Sequence, residues 1–178
     1  MKKRTKTKTQ QNKPQKKKHA NHATEHGEKH SHRLEYDQID NFIYVGTNAC
    51  CIGHFDTSLK KLGVKADISL EENRIDSPYG VSYYVWLPTK DHHAPPLREM
   101  LFGVYSLDYF IKSGIKTYVH CKEGHTRAPT LIAAYYIYKG MPVEWALQFV
   151  KEKRPASHIT PVQIKALKAF DKFLHPKM

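Results

Sequence analysis

The residues with the most to offer chemically lie between 119 and 128, in the run Val119-His120-Cys121-Lys122-Glu123-Gly124-His125-Thr126-Arg127-Ala128. A thiol, five intervening residues and a guanidinium stand between a short apolar strand and an apolar helix. Successive backbone N–H groups in a tight turn form a nest for an anion, and a helix N-terminus adds donors and the positive end of its dipole. Gly124 gives the turn backbone freedom. Arg127 supplies a planar fork matched to two phosphate oxygens. Such a positive environment favours the thiolate of Cys121. A phosphate held there would present its phosphorus to that sulfur for in-line attack. The nest would stabilise charge building on the equatorial oxygens.

Displacing an alkoxide or phenoxide also needs a proton donor on the far side of the phosphorus. Asp91, in Pro88-Thr89-Lys90-Asp91-His92-His93-Ala94-Pro95-Pro96, is the candidate. It follows a strand, and loops at the carboxyl ends of strands border one crevice in open α/β sheets. The plain alternatives are a buried structural thiol for Cys121 and a solvated turn acid for Asp91. An arginine opening a helix opposes the macrodipole unless an anion is bound, which favours a functional Arg127. His120 is read as orienting the loop through a hydrogen bond rather than reacting.

The elements that must position these groups follow from pattern. Ile39 to Val45 reads as a short edge strand ending at Gly46. Phe55, Leu59 and Leu62 have helical spacing, stopped by Gly63. Val64 to Leu70 alternates like a strand, and Val81 to Leu87 is aromatic and β-branched, suiting another. Leu97, Met100, Leu101, Val104, Leu107 and Ile111 make one helical stripe ended by Gly114, and Ile115 to Val119 is a further strand. The helix from about Ala128 to Lys139 is apolar nearly all round, as a buried central helix should be. Val143, Ala146, Leu147 and Val150 line the next helix, which stops before Pro155. Thr160-Pro161-Val162-Gln163 opens the last with a Thr N-cap, a first-turn Pro and a capping-box Gln. The expectation is an α/β domain with a central, mostly parallel sheet flanked by helices.

The chain has 178 residues and a net charge of +12. Residues 1–33 hold eleven Lys or Arg against two Glu, so +9 belongs to them and +3 to the rest. That segment lacks aromatic residues and is expected to be a disordered basic tail, with one folded domain over 34–178. Its charge suits non-specific contact with nucleic acid or an acidic surface, or simple solubilisation. His19, His22, His26, His30 and His32 could catch a metal ion, but a tail of this kind offers no fixed ligand geometry. No apolar run is long enough for a membrane span, and no signal-peptide pattern is seen, so a cytoplasmic protein is expected. Cys50, Cys51 and Cys121 suggest neither a disulfide framework nor a common zinc spacing. Cys50 and Cys51 are expected to pack under the sheet, with a resolving partnership to Cys121 as a remoter possibility.

Taken together, His120, Cys121 and Arg127 in a His-Cys-x5-Arg signature, Asp91 thirty residues before Cys121, and Arg154-Pro155 after the next helix resemble the dual-specificity phosphatases of the cysteine-based protein tyrosine phosphatase superfamily. The resemblance spans about residues 38 to 175. It implies the dual-specificity phosphatase fold, with phosphate bound by Lys122, Glu123, Gly124, His125, Thr126 and Arg127. It implies catalysis through a phosphocysteine that water hydrolyses, with no metal and no cofactor. The expected activity is hydrolysis of phosphate monoesters of protein tyrosine, serine and threonine. Lys122 and His125 also resemble the basic loop residues of tensin-type and mitochondrial-type lipid phosphatases, so a phospholipid headgroup or another polyanion is the alternative substrate. Glu123 works against that charge. The family usually has Ser or Thr after the signature Arg, where this chain has Ala128. That hydroxyl is thought to assist thiolate departure, so slow turnover, or a phosphate-binding pseudophosphatase, is a further alternative. Thr126 or Thr130 could stand in for it.

Overall fold

The computed structural model describes residues 33–176. The tail expectation lies almost wholly outside them. Five strands, β1 (Tyr36–Gln38), β2 (Ile43–Gly46), β3 (Val64–Ser69), β4 (Tyr83–Trp86) and β5 (Lys116–His120), form one sheet in the order β1-β2-β5-β3-β4. β1 pairs antiparallel with β2, and every other pairing is parallel. The α-helices are α1 (Thr57–Lys61), α2 (Leu97–Lys112), α3 (Arg127–Tyr138), α4 (Val143–Lys153) and α5 (Pro161–Leu174), and a 3-10 turn covers Asn48–Cys51.

The expected order of strands and helices is present, and the differences are local. The first strand was expected at the edge of the sheet from Ile39, but β2 starts at Ile43 and lies between β1 and β5, because β1 covers its outer side. Asp40 Oδ1 accepts from the backbone N–H of Phe42 and of Ile43, each at 2.8 Å, and this turn consumes residues 39–42. β1 is only three residues long and carries no apolar alternation. The capping box at Thr160 and Gln163 is formed in full.

Side-chain alternation divides the buried residues between the two faces of the sheet. On one face Ile43, Val45, Ile68 and Val119 pack with α2 to α5, around α3, where Leu131, Ile132, Ala133, Ala134 and Ile137 are all buried. The all-round apolarity of α3 is explained by this central position. On the other face Tyr44, Val64 and Tyr118 pack with Cys50, Cys51, Phe55 and Leu59. Cys50 and Cys51 thus pack beneath the sheet as expected, but they are joined to each other as a vicinal disulfide. Cys121 is a free, buried thiol and belongs to the opposite cluster.

Because β2, β5, β3 and β4 are parallel, they end along one edge. The register sets Gly46 beside His120, His120 beside Ser69, and Ser69 beside Trp86. The segments that follow these strands, which include Asn48, Glu71, Asp91 and Cys121, therefore start at that carboxyl edge.

Candidate active site

The turn between β5 and α3 is held from outside by its own carbonyls. Lys122 O accepts from the backbone N–H of Asn48 (3.1 Å), and His125 O accepts from that of His158 (2.8 Å). Arg154 Nε donates to Gly124 O (3.0 Å) and its Nη2 to Glu123 O (3.2 Å). Thr126 O accepts from Thr130 Oγ1 (2.8 Å). In a trans peptide the C=O and the next N–H point in opposite directions, and no peptide bond here is cis. Carbonyls drawn outward at 122 through 126 therefore turn the N–H groups of 123 through 127 toward the inside of the turn. This is the geometry of an anion nest at a helix N-terminus.

Gly124 allows the turn for two reasons. Its φ is +67°, and a Cβ there would lie 2.5 Å from the carbonyl carbon of Gly46 and 2.8 Å from its Cα. The turn thus packs backbone to backbone on the end of β2, and any side chain would push it away.

Arg127 is 2% exposed. Its Nη1 donates to Thr89 O (3.0 Å), Leu70 O (3.2 Å) and Glu71 Oε1 (3.4 Å), so the far side of the guanidinium is fixed to the segments after β3 and β4. Its Nε is buried with no hydrogen-bond partner among the described residues. Asp91 Oδ1 stands 3.2 Å from that Nε, close enough for ion pairing although not aligned for a hydrogen bond. An oriented, unsatisfied guanidinium N–H costs stability unless an anion takes it.

Asp91 is half exposed. Its N–H donates to Glu72 Oε1 (2.9 Å), and its carbonyl lies 2.8 Å from His93 Nδ1. His92 has a left-handed φ of 59°, a conformation uncommon outside glycine that histidine enters more readily than most residues. Thr160 Oγ1 donates to His92 O (3.0 Å), and Gln163 Nε2 donates to His93 O (2.9 Å). The cap of α5 therefore also ties down the Asp91 loop.

His120 points to the sheet face opposite Cys121. It stacks on Tyr118 with ring centroids 5.6 Å apart, and its Nε2 lies 3.3 Å from Asp67 Oδ1 and 3.7 Å from Asp76 Oδ2. Burial opposes charge on this imidazole, but the two carboxylates outweigh it and raise its pKa. Lys122 is exposed. His125, tilted against His158 at 5.3 Å, has its pKa lowered by burial and by the charges of Arg154 and His158. Ala128 is fully buried, and Thr130 spends its hydroxyl hydrogen on Thr126 O.

Cys121, Lys122 to Arg127 and Asp91 are therefore brought to one edge of the sheet, with the Asp91 carboxylate against the Arg127 guanidinium. Glu71 and Arg154 add to the site. Glu71 was not singled out from sequence, although an acid just past a parallel strand stands where such sites are built. Arg154 was matched to the family pattern without a role; its role is to hold two carbonyls of the turn.

The model of the dual specificity phosphatase catalytic domain matches residues 43–173. The chain belongs to this family. A curated relative, phosphatidylglycerophosphate phosphatase PTPMT2 of Arabidopsis thaliana, is 32% identical over 150 residues, covering 79% of this chain and 64% of that protein. A second from the same plant, phosphatidylglycerophosphate phosphatase PTPMT1, is 29% identical over 141 residues, covering 74% of this chain and 41% of that protein. The chain thus spans less than two thirds of either relative. Among solved structures, PTPMT1 in complex with PI(5)P shares the fold with a TM-score of 0.65 at 23% identity, covering 78% of this chain and 96% of that one. The mixed, mostly parallel sheet with its helices is accordingly the dual specificity phosphatase fold. No helix among the described residues is long and apolar enough to cross a membrane.

Proposed function

We propose that the chain is a cysteine-dependent phosphate monoester hydrolase acting through Cys121, Arg127 and Asp91. The observation that carries this is the outward anchoring of the carbonyls from 122 to 125, with Thr126 O taken up by α3 itself, beside a buried Arg127 whose Nε has no hydrogen-bond partner among the described residues. Backbone N–H groups turned inward opposite those carbonyls, with a preoriented guanidinium, would suit a tetrahedral dianion and, better, its trigonal-bipyramidal transition state.

In the proposed reaction the Cys121 thiolate attacks phosphorus, and the bond to the leaving oxygen breaks as Asp91 gives that oxygen a proton. Water then attacks the phosphocysteine, Asp91 takes its proton, and the thiolate leaves with inorganic phosphate as the product. Glu71 and Arg154 act as positioning residues, the first for the guanidinium and the second for the turn. The catalytic unit is residues 34–178. Residues 1–33, with their +9 charge, add a salt-dependent attraction to acidic surfaces. A cytoplasmic setting goes with this proposal.

For the substrate, protein phosphotyrosine, phosphoserine and phosphothreonine are the first reading. A phospholipid monoester is the second, favoured by the names of the two plant relatives and by Lys122 at the rim of the turn. The test is a panel of phosphopeptides, phosphatidylglycerophosphate and phosphoinositides, run with wild type, Cys121→Ser and Asp91→Asn. Hydrolysis that needs Cys121 and falls about 10²–10⁴-fold without Asp91 is expected. Hydrolysis indifferent to Cys121 would end the proposal.

A further inference from the structure

The sheet face opposite the catalytic turn carries a buried polar cluster that phosphate chemistry does not use. Cys50 and Cys51 lie on the 3-10 turn, Asp67 on β3 and His120 at the end of β5. One ligand-type atom from each lies within 4.8 Å of all the others, and all four residues are buried. Cys51 Sγ is 3.2 Å from Asp67 Oδ2 and 4.0 Å from His120 Nε2, and His120 Nε2 is 3.3 Å from Asp67 Oδ1. Tetrahedral zinc, with Zn–S near 2.3 Å and Zn–N or Zn–O near 2.0–2.2 Å, needs ligand atoms about 3.3–3.8 Å apart.

A second observation points the same way. Asp67 Oδ1 is buried with no hydrogen-bond partner among the described residues, His120 Nε2 being near it at 3.3 Å without forming a hydrogen bond. Asp76, the other carboxylate near His120, is already occupied by Arg74 at 3.0 Å and by the Ser69 hydroxyl at 2.6 Å. Asp67, by contrast, stands against the His120 imidazole and the Cys51 sulfur, with no Lys or Arg paired to it among the described residues. A buried carboxylate with an unmet oxygen costs stability unless a cation satisfies it.

We propose that Cys50, Cys51, Asp67 and His120 bind one thiophilic divalent metal ion of the zinc type when the two cysteines are reduced. Two thiolates, an imidazole and a carboxylate form a donor set that zinc prefers over magnesium or calcium. The Cys50–Cys51 bond and the metal exclude each other. A dithiol reductant first gives its two electrons and two protons to the disulfide and becomes a disulfide itself. Zinc then displaces both thiol protons as the two Zn–S bonds form, and the sulfurs move apart to ligand spacing. The ion would bolt the 3-10 turn to β3 and to β5 one residue before Cys121. This departs from the expectation of no metal. The set is hidden in the sequence because Asp67 and His120 are far from the Cys pair along the chain and meet it only across the sheet.

The test uses the full chain carrying Cys121→Ser, which removes the third thiol. The protein is reduced with dithiothreitol, desalted and titrated with cobalt(II). One equivalent should bind with thiolate-to-cobalt charge-transfer absorption, and zinc should bleach it. Cys50→Ser and Cys51→Ser should each abolish the band, and Asp67→Asn should weaken cobalt binding at least as much as loss of an outer-shell partner would, about 10–100-fold, with far-UV dichroism confirming the fold. The oxidised chain, which needs no further substitution, should show no band, and zinc should raise Tm of the reduced chain only. Cobalt bound without thiolate absorption would mean capture by the N-terminal histidines and would overturn the proposal. So would a band that survives replacement of both Cys50 and Cys51.

Discussion

Arg154 offers a sharp test of the idea that the phosphate turn is shaped by its carbonyl partners. It is 3% exposed and bonds Gly124 O, Glu123 O and Asp37 Oδ2, the last at 2.7 Å. In Arg154→Met the two backbone carbonyls lose charge-assisted bonds of about 1.5–3 kcal/mol each. Relief of the guanidinium's own desolvation offsets part of this, and Asp37 lies at the rim where water can reach it. The net destabilisation is about 2–4 kcal/mol, or roughly 6–12 °C in Tm for a domain of this size. Activity should fall further than stability explains. Peptide planes free to rotate misdirect N–H donors, and losing one such donor costs about 10²–10³ in rate. The assay is kcat/KM for para-nitrophenyl phosphate and the inhibition constant for vanadate, both measured well below the variants' Tm. Leu167→Ala, a fully buried site on α5, supplies a destabilised control at about 2–5 kcal/mol. The control should lower Tm and leave vanadate inhibition alone, while Arg154→Met should weaken inhibition about 100-fold. Arg154→Lys should recover little, since a point charge cannot serve the same three acceptors. If Arg154→Met changed Tm yet kept kcat/KM and vanadate inhibition within about twofold of wild type, the carbonyl-anchoring argument would be refuted.

Other outcomes follow from single contacts. Gly124→Ala meets both a left-handed φ and the backbone of Gly46, so hydrolysis should drop at least about 100-fold, with weaker phosphate binding in calorimetry. Ala128→Ser should raise turnover, because Thr130 already donates to Thr126 O; rapid-quench kinetics should show less phosphoenzyme accumulating than in wild type, and an unchanged level would count against this reading. Burial, together with Arg154 and His158, lowers the pKa of His125, so it takes up its proton at lower pH than an ordinary imidazole. Because its folded-state pKa is lowered, its contribution to stability is lost as pH falls. Over the same interval preference for multiply phosphorylated substrates should rise, and it should stay flat in His125→Gln.

What could be read in advance was local. The strand, turn and helix around Cys121 announce themselves by apolar pattern and Gly124, and the α5 cap by Thr160, Pro161 and Gln163 within four consecutive residues. What could not be read depends on which strands become neighbours. Glu71 is one of many acids until β3 is set beside β5 and the guanidinium of Arg127 reaches past it. The side-chain reach of Arg154 back to residues 123 and 124 spans thirty positions. β1 escaped notice because three half-exposed residues have no period to detect. Cys50 and Cys51 looked like two core thiols, since sequence says nothing of Asp67 and His120 lying against them. Gln163 forms the expected cap, and its amide also reaches His93 O, which the sequence does not show.

The most direct measurement is an acid quench of the wild-type chain during turnover of an aryl phosphate, followed by peptide mass spectrometry. The proposed chemistry predicts one phosphoryl group on the peptide containing Cys121 and none in Cys121→Ser. Steady hydrolysis with no adduct on that cysteine, or hydrolysis that persists in Cys121→Ser, would contradict it.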